Sequence, residues 1–438
     1  MRLFLFSLGL VVLAVSFVSF KTAQTHSMAV ASPVPWGDEI EINVAKEIWI
    51  RNPDVLDDPI RTRFNANSTN PNQAAWTFGR MMENMAGDHE PEIFTARLFQ
   101  HFEEEQQDIN GQTLAARPTF TQEVIEPWRN RTVGEGLDPE LAPMRLNGIV
   151  NRIDLRKTVS GTEFHAGEGR LVYGILDANG GLTQRTIILE YELIADDCQA
   201  ILNWANRWHT LGQIEGVKEY NDALAAIVNR FAGKNAAPER TNGSAILTVR
   251  TNDVGGMQPE EEWQWREFRM NPDTGFLSQS TVAMTPAHEH NNTNLLAQFV
   301  RQNRPAILND AFEIPLVFRG TPFLGADSVD LANGDEFLLP QYGGPLDLQA
   351  RHILSLNTCA GCHGNETPSG TGRLHVRPRQ IGEEPLLSNF LLGGFVNDPV
   401  SGKQRYFNEL NRRRDDFKLL LESSCEEVEL LPTYSRVH

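Results

Sequence analysis

The segment Cys359-Ala360-Gly361-Cys362-His363 constrains this 438-residue chain more than any other feature. Its spacing, C-x-x-C-H, is that of covalent attachment of c-type haem. Two thiols separated by two residues can each bond one vinyl group of the same porphyrin. The histidine that follows can then ligate the iron from one face. The segment therefore predicts one covalent haem c, bonded to Cys359 and Cys362, with His363 as an iron ligand.

Two other interpretations use the same residues. A structural zinc site needs four ligands, usually in two pairs, and the sequence contains no second C-x-x-C. A redox-active dithiol, or a chance match, needs only the two cysteines. We favour haem because the N-terminal residues indicate export, and export is the usual setting of this attachment motif.

Residues 1–31 have the pattern of a secretory signal peptide. A basic start is followed by an apolar run that ends at Phe20, and Ala29-Val30-Ala31 fits an A-x-A cleavage site. We expect a periplasmic or extracellular protein. An uncleaved anchor is the alternative, since the run is long enough to span a bilayer. No later segment is as apolar, so we expect no stable membrane insertion beyond the signal segment.

The chain is acidic, with a formal net charge of −18. Nucleic acid and anionic membranes repel an acidic surface, so neither is expected as a partner. The charge suits solubility in the external medium and is compatible with docking to a basic redox partner. The sequence does not identify that partner.

The chain contains four cysteines. With Cys359 and Cys362 assigned to haem, Cys198 and Cys425 remain. In an oxidising compartment such a pair is more often bridged than free, so we predict a Cys198–Cys425 disulfide. Two unrelated buried thiols are the alternative.

Hydrophobic periodicity predicts an α+β protein. We expect a mixed helical and antiparallel-sheet region, followed by a haem-binding segment. The order of that segment, a helix, C-x-x-C-H, loops and a terminal helix, resembles a small, mostly α-helical cytochrome c domain. The expected boundaries are residues 32–145 for a helical and loop N-terminal region, 146–344 for a sheet and helix central region, and 345–438 for the haem-binding domain.

The strongest local pattern is a β-hairpin within residues 169–193, where Asn179-Gly180-Gly181 separates two alternating runs. Its second run places Ile187, Leu189 and Tyr191 on one face. Residues 198–231 predict two helices separated near Gly212–Gly216. Near the C-terminus, a short helix is expected from about Leu348, and an amphipathic helix over residues 406–421.

Whether the protein is an electron carrier or an enzyme depends on the sixth iron ligand. No methionine follows Cys362, and His375 is the leading histidine downstream. Direct ligation by His375 would give a bis-histidine electron carrier. An unligated His375 over an open iron would be an acid–base group, with Arg373 or Arg377 binding haem propionates or peroxide. The alternative is that His375 lies in a surface loop and has no role at the iron. Four upstream side chains are then further candidates for the sixth iron ligand: Met257, Met270, Met284 and His352.

Two other histidine and methionine patterns have simpler structural explanations. His288-Glu289-His290 has metal-ligand spacing on a strand but no visible third ligand, so a polar loop is favoured. Met81, Met82 and Met85 recur at helical spacing and predict core packing rather than iron ligation.

Seven short segments carry a resemblance to a known family: DDPIRT at 57–62, WTFG at 76–79, NRIDL at 151–155, GEGRLV at 167–172, RTND at 250–253, WREF at 265–268 and SLNTCAGCH at 355–363. From about Asp57 to Leu421 the chain resembles secreted bacterial proteins of unassigned activity with a single C-terminal C-x-x-C-H. That family usually has Glu-Thr after the motif, here Glu366-Thr367, and a histidine matching His375. Its frequent cysteine near Phe64 is absent here. The resemblance implies an exported haem protein and no particular substrate.

Three functions remain open from the sequence. The first is electron transfer through one covalent haem. The second is a haem-dependent, peroxidase-like oxidoreductase whose large upstream region forms a substrate pocket. The third is a cell-surface binding module in which the haem is structural. The sequence leaves undecided whether the protein is an enzyme.

Overall fold

The alternating residues between Gly169 and Leu193 fold, as predicted, into a long antiparallel hairpin. In the computed structural model its strands are Glu163–Leu176 and Leu182–Ile194. The structure describes residues 40–431 except 66, 71, 160–162, 255–262, 331–336, 340–346 and 371–372. The predicted signal peptide, residues 1–31, lies outside the described residues, as does Met257.

The strands are numbered in chain order. They are β1 Trp49–Ile50, β2 Gln106–Ile109, β3 Gln112–Leu114, β4 Met144–Arg152, β5 Lys157–Val159, β6 Glu163–Leu176, β7 Leu182–Ile194, β8 Ile246–Asp253, β9 Gln264–Met270, β10 Leu277–Ser280, β11 Val317–Phe318, β12 Thr321–Pro322, β13 Ser328–Val329, β14 Gly394–Asn397 and β15 Gln404–Phe407.

The helices are numbered in the same way. They are α1 Val44–Glu47, α2 Pro53–Leu56, α3 Phe78–Met85, α4 Pro91–Glu103, α5 Pro118–Phe120, α6 Glu126–Arg131, α7 Cys198–Gly212, α8 Val217–Ala232, α9 Asn294–Gln302, α10 Arg304–Leu308, α11 Leu348–Leu356, α12 Cys359–His363, α13 Asn389–Leu392, α14 Glu409–Glu422 and α15 Cys425–Val428. The predicted break between α7 and α8 is confirmed.

Nine strands of the described chain form one antiparallel sheet. Seven of them follow the order β1-β4-β6-β7-β8-β9-β10, and two more pair with members of this row. Strand β5 pairs with β6, and β13 pairs with β9. The remaining strands form three two-stranded ladders, β2–β3, β11–β12 and β14–β15. Helices and antiparallel sheet are mixed along the chain, so the predicted α+β class is confirmed.

One face of the large sheet is apolar and packs against helices. Leu171, Leu189 and Val249 face each other across β6, β7 and β8. On this face Tyr173 contacts Phe78 of α3, with ring centroids 5.7 Å apart, and Tyr191 contacts Phe231 of α8 at 5.9 Å. The predicted division of the hairpin faces therefore holds, and this face carries the main core.

The opposite face of the same strands is polar, and it is also buried. Strand alternation puts Arg170, Glu190, Arg250 and Glu267 on it, and each is at most 8% exposed. Antiparallel sheets commonly leave such a face to water. Here the segment after residue 347 covers it, and Cys359 of α12 lies within electrostatic range of Arg250 and Glu267. A buried charged face of this kind marks a candidate site.

The C-terminal helix begins later than the sequence predicts. The prediction from residue 406 is wrong, because Gln404–Phe407 pairs with β14 as strand β15. Asn408 then caps α14, and its side chain accepts a hydrogen bond from the backbone N–H of Asn411. The hairpin partner and the cap together stop the helix from extending to Tyr406.

The segment after residue 347 packs into the same compact unit as the sheet, a unit that begins at Ile40. Two buried ion pairs fasten it: Arg156 Nη1 to Asp416 at 2.6 Å, and Arg379 Nη2 to Asp57 at 2.8 Å. The boundaries expected after residues 145 and 344 stay predictions. Among the described residues, no helix has the length and apolarity to span a membrane.

Cys198 and Cys425 form a disulfide, with their Cα atoms 5.5 Å apart. The bond joins the start of α7 to the start of α15 across 227 residues of sequence. It therefore ties the C-terminal segment to a helix that packs on the apolar face of the sheet.

Candidate functional site

The C-x-x-C-H segment is the short helix α12. Thr358 caps it, since its hydroxyl oxygen accepts a hydrogen bond from the N–H of Gly361 at 3.1 Å. A side chain at Gly361 would overlap the backbone carbonyl of Ser355, so glycine allows α12 to approach the end of α11. Every residue of the helix is buried.

Neither cysteine of the helix takes part in a disulfide. Burial, together with the negative charge of Glu267, raises the pKa of Cys359 to about 12. The thiol of Cys359 is therefore protonated at neutral pH. The Sγ atom of Cys362 lies 3.4 Å from Nε2 of His375. His375, the second ligand candidate from the sequence, therefore lies beside the motif.

His363 is held by a backbone group. Its Nδ1–H donates to the carbonyl oxygen of Arg373 at 2.7 Å, because a carbonyl can only accept. Burial lowers the pKa of His363 to about 4, so the ring is neutral and Nε2 carries the lone pair. Metal-bound histidines usually have their second ring nitrogen held in this way. Its ring lies against Trp265, with centroids 4.8 Å apart.

The carbonyl that holds His363 is itself positioned by Asn252 of β8. The Nδ2 group of Asn252 donates to the oxygen of Arg373 at 2.9 Å. Its Oδ1 accepts from the indole N–H of Trp263 at 2.7 Å. The orientation of His363 therefore depends on a strand of the central sheet, more than 100 residues upstream.

His375 lies beside His363, with ring centroids 4.3 Å apart. Its Nδ1 is hydrogen-bonded to the hydroxyl of Ser388 at 3.0 Å, and its ring packs on Phe390 at 4.8 Å. Burial, the neighbouring His363 and the charge of Arg413 hold the pKa of His375 well below its usual value. Both imidazoles are therefore uncharged, which is the form in which histidine binds a metal.

A cavity of about 70 Å³ lies beside the two histidines, which both line it. The cavity is smaller than a typical cofactor site, so a cofactor would enter it only if the walls moved apart. Much of its wall is apolar and comes from the sheet and from the C-terminal segment: Trp49, Val150, Val172, Ile188, Trp265 and Phe390. Five of the seven segments that carry the family resemblance contribute lining residues, those at 151–155, 167–172, 250–253, 265–268 and 355–363.

Four arginines also line the cavity: Arg152, Arg170, Arg250 and Arg413. Two of them are paired with sheet glutamates. Arg170 contacts Glu190 at 2.9 Å, and Arg250 contacts Glu190 at 3.2 Å and Glu267 at 3.1 Å. Sequence reasoning missed all four. The available signal was the polar face of the predicted hairpin, because a chain of this length can bury both faces of a sheet.

The arginines chosen from sequence serve elsewhere. Arg373 forms an ion pair with Asp330, and its guanidinium lies 5.0 Å from the ring of Trp263. Arg377 is exposed, and its backbone N–H donates to the carbonyl of Leu386. Neither of them lines the cavity.

His352, an upstream ligand candidate, belongs to a buried ionic cluster. Its Nδ1 lies 2.5 Å from Glu366 and 3.5 Å from Asp398, and Arg351 pairs with both carboxylates. Among the described residues, the one group of three possible metal donors within 4.8 Å of one another is His352, Glu366 and Asp398. Arg351 and Arg405 already compensate the carboxylates, so we interpret the cluster as a structural network of ion pairs.

The remaining candidates pack elsewhere. His290 is hydrogen-bonded to the carbonyl of Pro322 at 2.7 Å, whereas His288 is exposed. Met284 belongs to a separate apolar cluster, and Met270 contacts Asn242. The methionines of α3, Met81, Met82 and Met85, are buried in the main core, as expected.

The described site thus combines two buried thiols, two neutral imidazoles and a basic, partly apolar cavity. Thiols can form covalent bonds to a ligand, and imidazoles can bind a transition metal. Comparison with protein-family models, with curated proteins and with solved structures finds no match to this chain.

Proposed function

We propose that the chain is a c-type haem protein that transfers electrons. One haem c is bonded to Cys359 and Cys362, and His363 ligates its iron. The fit rests on the donor set: two buried thiols begin and nearly end one helical turn, beside a cavity that both histidines line. His363 has the fixed tautomer that iron ligation requires, with the proton on Nδ1.

His375 is proposed as the second histidine that would hold the iron. Its ring centroid lies 4.3 Å from that of His363, so the two rings would have to separate to receive the metal between them. The observation that carries electron transfer is that both imidazoles are anchored through Nδ1, His363 by a carbonyl and His375 by a hydroxyl. In the thioether form Sγ of Cys362 has no proton to share with Nε2 of His375, which then keeps its lone pair. An iron with two histidine ligands has no open position, which favours electron transfer over substrate oxidation.

The bound haem would supply one-electron redox chemistry. The chain's own residues would surround it with Trp265, Ile188 and Phe390, which exclude water from the cavity. Asn252 and Ser388 would fix the two imidazole planes. Burial and hydrogen bonding of this kind are the means by which a protein sets a haem potential.

The cytochrome-c-like role is proposed for the segment 345–438, acting together with the sheet that forms the opposite wall. Helices α11, α12 and α14 would be its helical frame. We also propose a periplasmic or extracellular location, supported by the Cys198–Cys425 disulfide, because such bonds persist in oxidising compartments. The redox partner would be a protein with a basic docking surface, which is complementary to the acidic charge of this chain.

A peroxidase-like oxidoreductase is the second candidate. The observation that favours it is the origin of the cavity wall, since Val150, Val172 and Ile188 all come from the large upstream region. A simple carrier does not need such a region. The function then turns on whether His375 binds the iron or stands near an open position.

Covalent attachment is tested on the full chain produced together with a cytochrome c maturation system. Mass spectrometry and a pyridine haemochrome assay should find one haem that resists acid extraction. The Cys359→Ser/Cys362→Ser variant should lose it, while the matched Cys198→Ser/Cys425→Ser variant should keep it. A wild type without covalent haem, or equal retention in both double variants, would refute the proposal.

A further inference from the structure

Arg413 of α14 is a buried guanidinium without a hydrogen-bond partner on two of its nitrogens. The residue is 3% exposed. Its Nε and Nη1 have no partner among the described residues. The guanidinium carbon lies 5.9 Å from the ring of Trp49, and both residues line the cavity that His363 and His375 share. An arginine is effectively always charged, so such a position costs folding free energy.

The carboxylates near Arg413 are already engaged by other arginines. Arg152 contacts Asp154 through two hydrogen bonds of 2.9 and 3.1 Å. Arg412 contacts Asp154 at 2.8 Å and Glu409 at 2.9 Å. Asp154 and Glu409 are therefore shared by Arg152, Arg412 and Arg413, and Arg152 also interacts with Glu168. Arg413 nevertheless keeps two buried nitrogens without a hydrogen-bond partner, and the fold holds it beside the cavity that His363 and His375 line.

The other wall of the cavity provides a comparison. Arg170 and Arg250 face Glu190, and Arg250 also faces Glu267, so these guanidinium groups are compensated within the sheet. The contrast makes Arg413 the position from which a negative ligand would gain most. Burial and the charge of Arg152 lower the pKa of Arg413 well below its usual value, and a carboxylate bound at Arg413 would oppose both effects.

We propose that Arg413, supported by Arg152, binds a carboxylate inside the cavity. The planar fork of a guanidinium matches a carboxylate bidentately. An adjoining apolar wall suits a ligand that carries its carboxylate on an apolar body. The carboxylate belongs either to a haem propionate or to a free small organic acid. The inference rests on the proposed function for the first source and is independent of it for the second.

The test uses the full-length, haem-loaded protein and three variants. Arg413→Met removes the charge with little change in length, and Arg413→Lys keeps the charge but loses the fork. Arg414→Met is the matched control, because Arg414 is the next residue of α14, has a side chain that is 42% exposed and pairs with Asp415. Each protein is measured by resonance Raman spectroscopy of the propionate modes, by redox potentiometry, and by thermal melting with and without succinate.

If a haem propionate is bound, Arg413→Met changes the propionate modes and lowers the midpoint potential, since a positive charge near the iron is lost. Arg413→Lys changes the modes but shifts the potential less. If a free acid is bound, the modes stay unchanged, while succinate raises the melting temperature of the wild type and not of Arg413→Met. Arg414→Met behaves like the wild type in both cases.

The proposal is overturned if Arg413→Met and Arg414→Met match the wild type in all three measurements. It is also overturned if neither Arg413 variant folds, because Arg413 would then be a structural residue. A wild type that carries no covalent haem would refute the proposed function instead. The succinate measurement would still decide the carboxylate site on that protein.

Discussion

Arg351 and Glu366 form an ion pair in which neither side chain has any solvent exposure. Arg351 lies before the C-x-x-C-H helix and Glu366 lies after it, so the pair closes the chain around α12. His352 and Asp398 join the same cluster. The next residue, Thr367, donates its hydroxyl to the carbonyl of Cys362. The Glu-Thr pair after the motif therefore has a physical role, which is to hold the helix that carries the thiols.

We predict that Glu366→Ala destabilises the protein by about 3–5 kcal/mol, because Arg351 and His352 keep their burial but lose a carboxylate. Urea unfolding measures the change. Asp415→Ala is the control, since it breaks the exposed pair with Arg414 and should cost less than about 1 kcal/mol. Equal effects of the two substitutions would mean that the buried cluster does not hold the segment.

Asp398 makes the stability of this cluster depend on pH. Burial opposes its ionisation, but the N–H of Ser401 and the charge of Arg351 outweigh burial and keep its pKa at about 2. The unfolded carboxyl has a pKa of about 3.9. The carboxylate therefore stabilises the fold above about pH 4, and this contribution is lost as the pH falls through about 2.

Asp398→Asn should accordingly be less stable than the wild type near neutral pH and should lose less stability on acidification. The urea midpoint measured at several pH values between about 5 and 2.5 compares the two proteins, with Asp415→Asn as an exposed control. Parallel acid curves for Asp398→Asn and the wild type would show that Asp398 is not the titrating group.

The disulfide should contribute about 2–5 kcal/mol, since it closes a long loop between Cys198 and Cys425. Cys425→Ala is expected to lower the unfolding midpoint by that amount, and dithiothreitol should lower the midpoint of the wild type but not of the variant. A wild type that is indifferent to the reductant, with its two thiols free to alkylation, would disprove the bond.

Gly361 should tolerate no side chain. Gly361→Ala forces a methyl group against the carbonyl of Ser355, so we expect a loss of about 1–3 kcal/mol and a lower yield of attached haem. Gly370→Ala is the comparison for haem yield: its positive φ makes alanine costly for stability, but open space surrounds it, so the yield of attached haem should not change. Wild-type stability and haem yield in Gly361→Ala would contradict the close approach of α11 and α12.

Local patterns predicted local structure well here. The hairpin β6–β7, the helix pair α7–α8 and the start of α11 follow from alternation, helical spacing and glycine placement, which act within a few residues. The start of α14 was predicted wrongly, because Tyr406 and Phe407 have helical spacing to later residues but pair with β14. Tertiary pairing outweighed a marginal local preference there.

The site was predictable only where its residues are close in sequence. Cys359, Cys362 and His363 belong to one motif, and His375 follows within thirteen residues of Cys362. Arg413 and Asn252 approach the same cavity from α14 and β8, and no spacing rule connects them to the motif. Their roles depend on which sheet face becomes covered, which a single sequence does not encode locally.

The central claim is that His363 and His375 ligate the iron of one covalent haem. The ferric absorption and electron paramagnetic resonance spectra of the haem-loaded protein measure this directly. The account predicts a low-spin wild type, a high-spin His375→Ala variant that imidazole returns to low spin, and an unchanged His288→Ala control. A high-spin wild type that reacts with peroxide, or a His375→Ala variant with the wild-type spectrum, would contradict it.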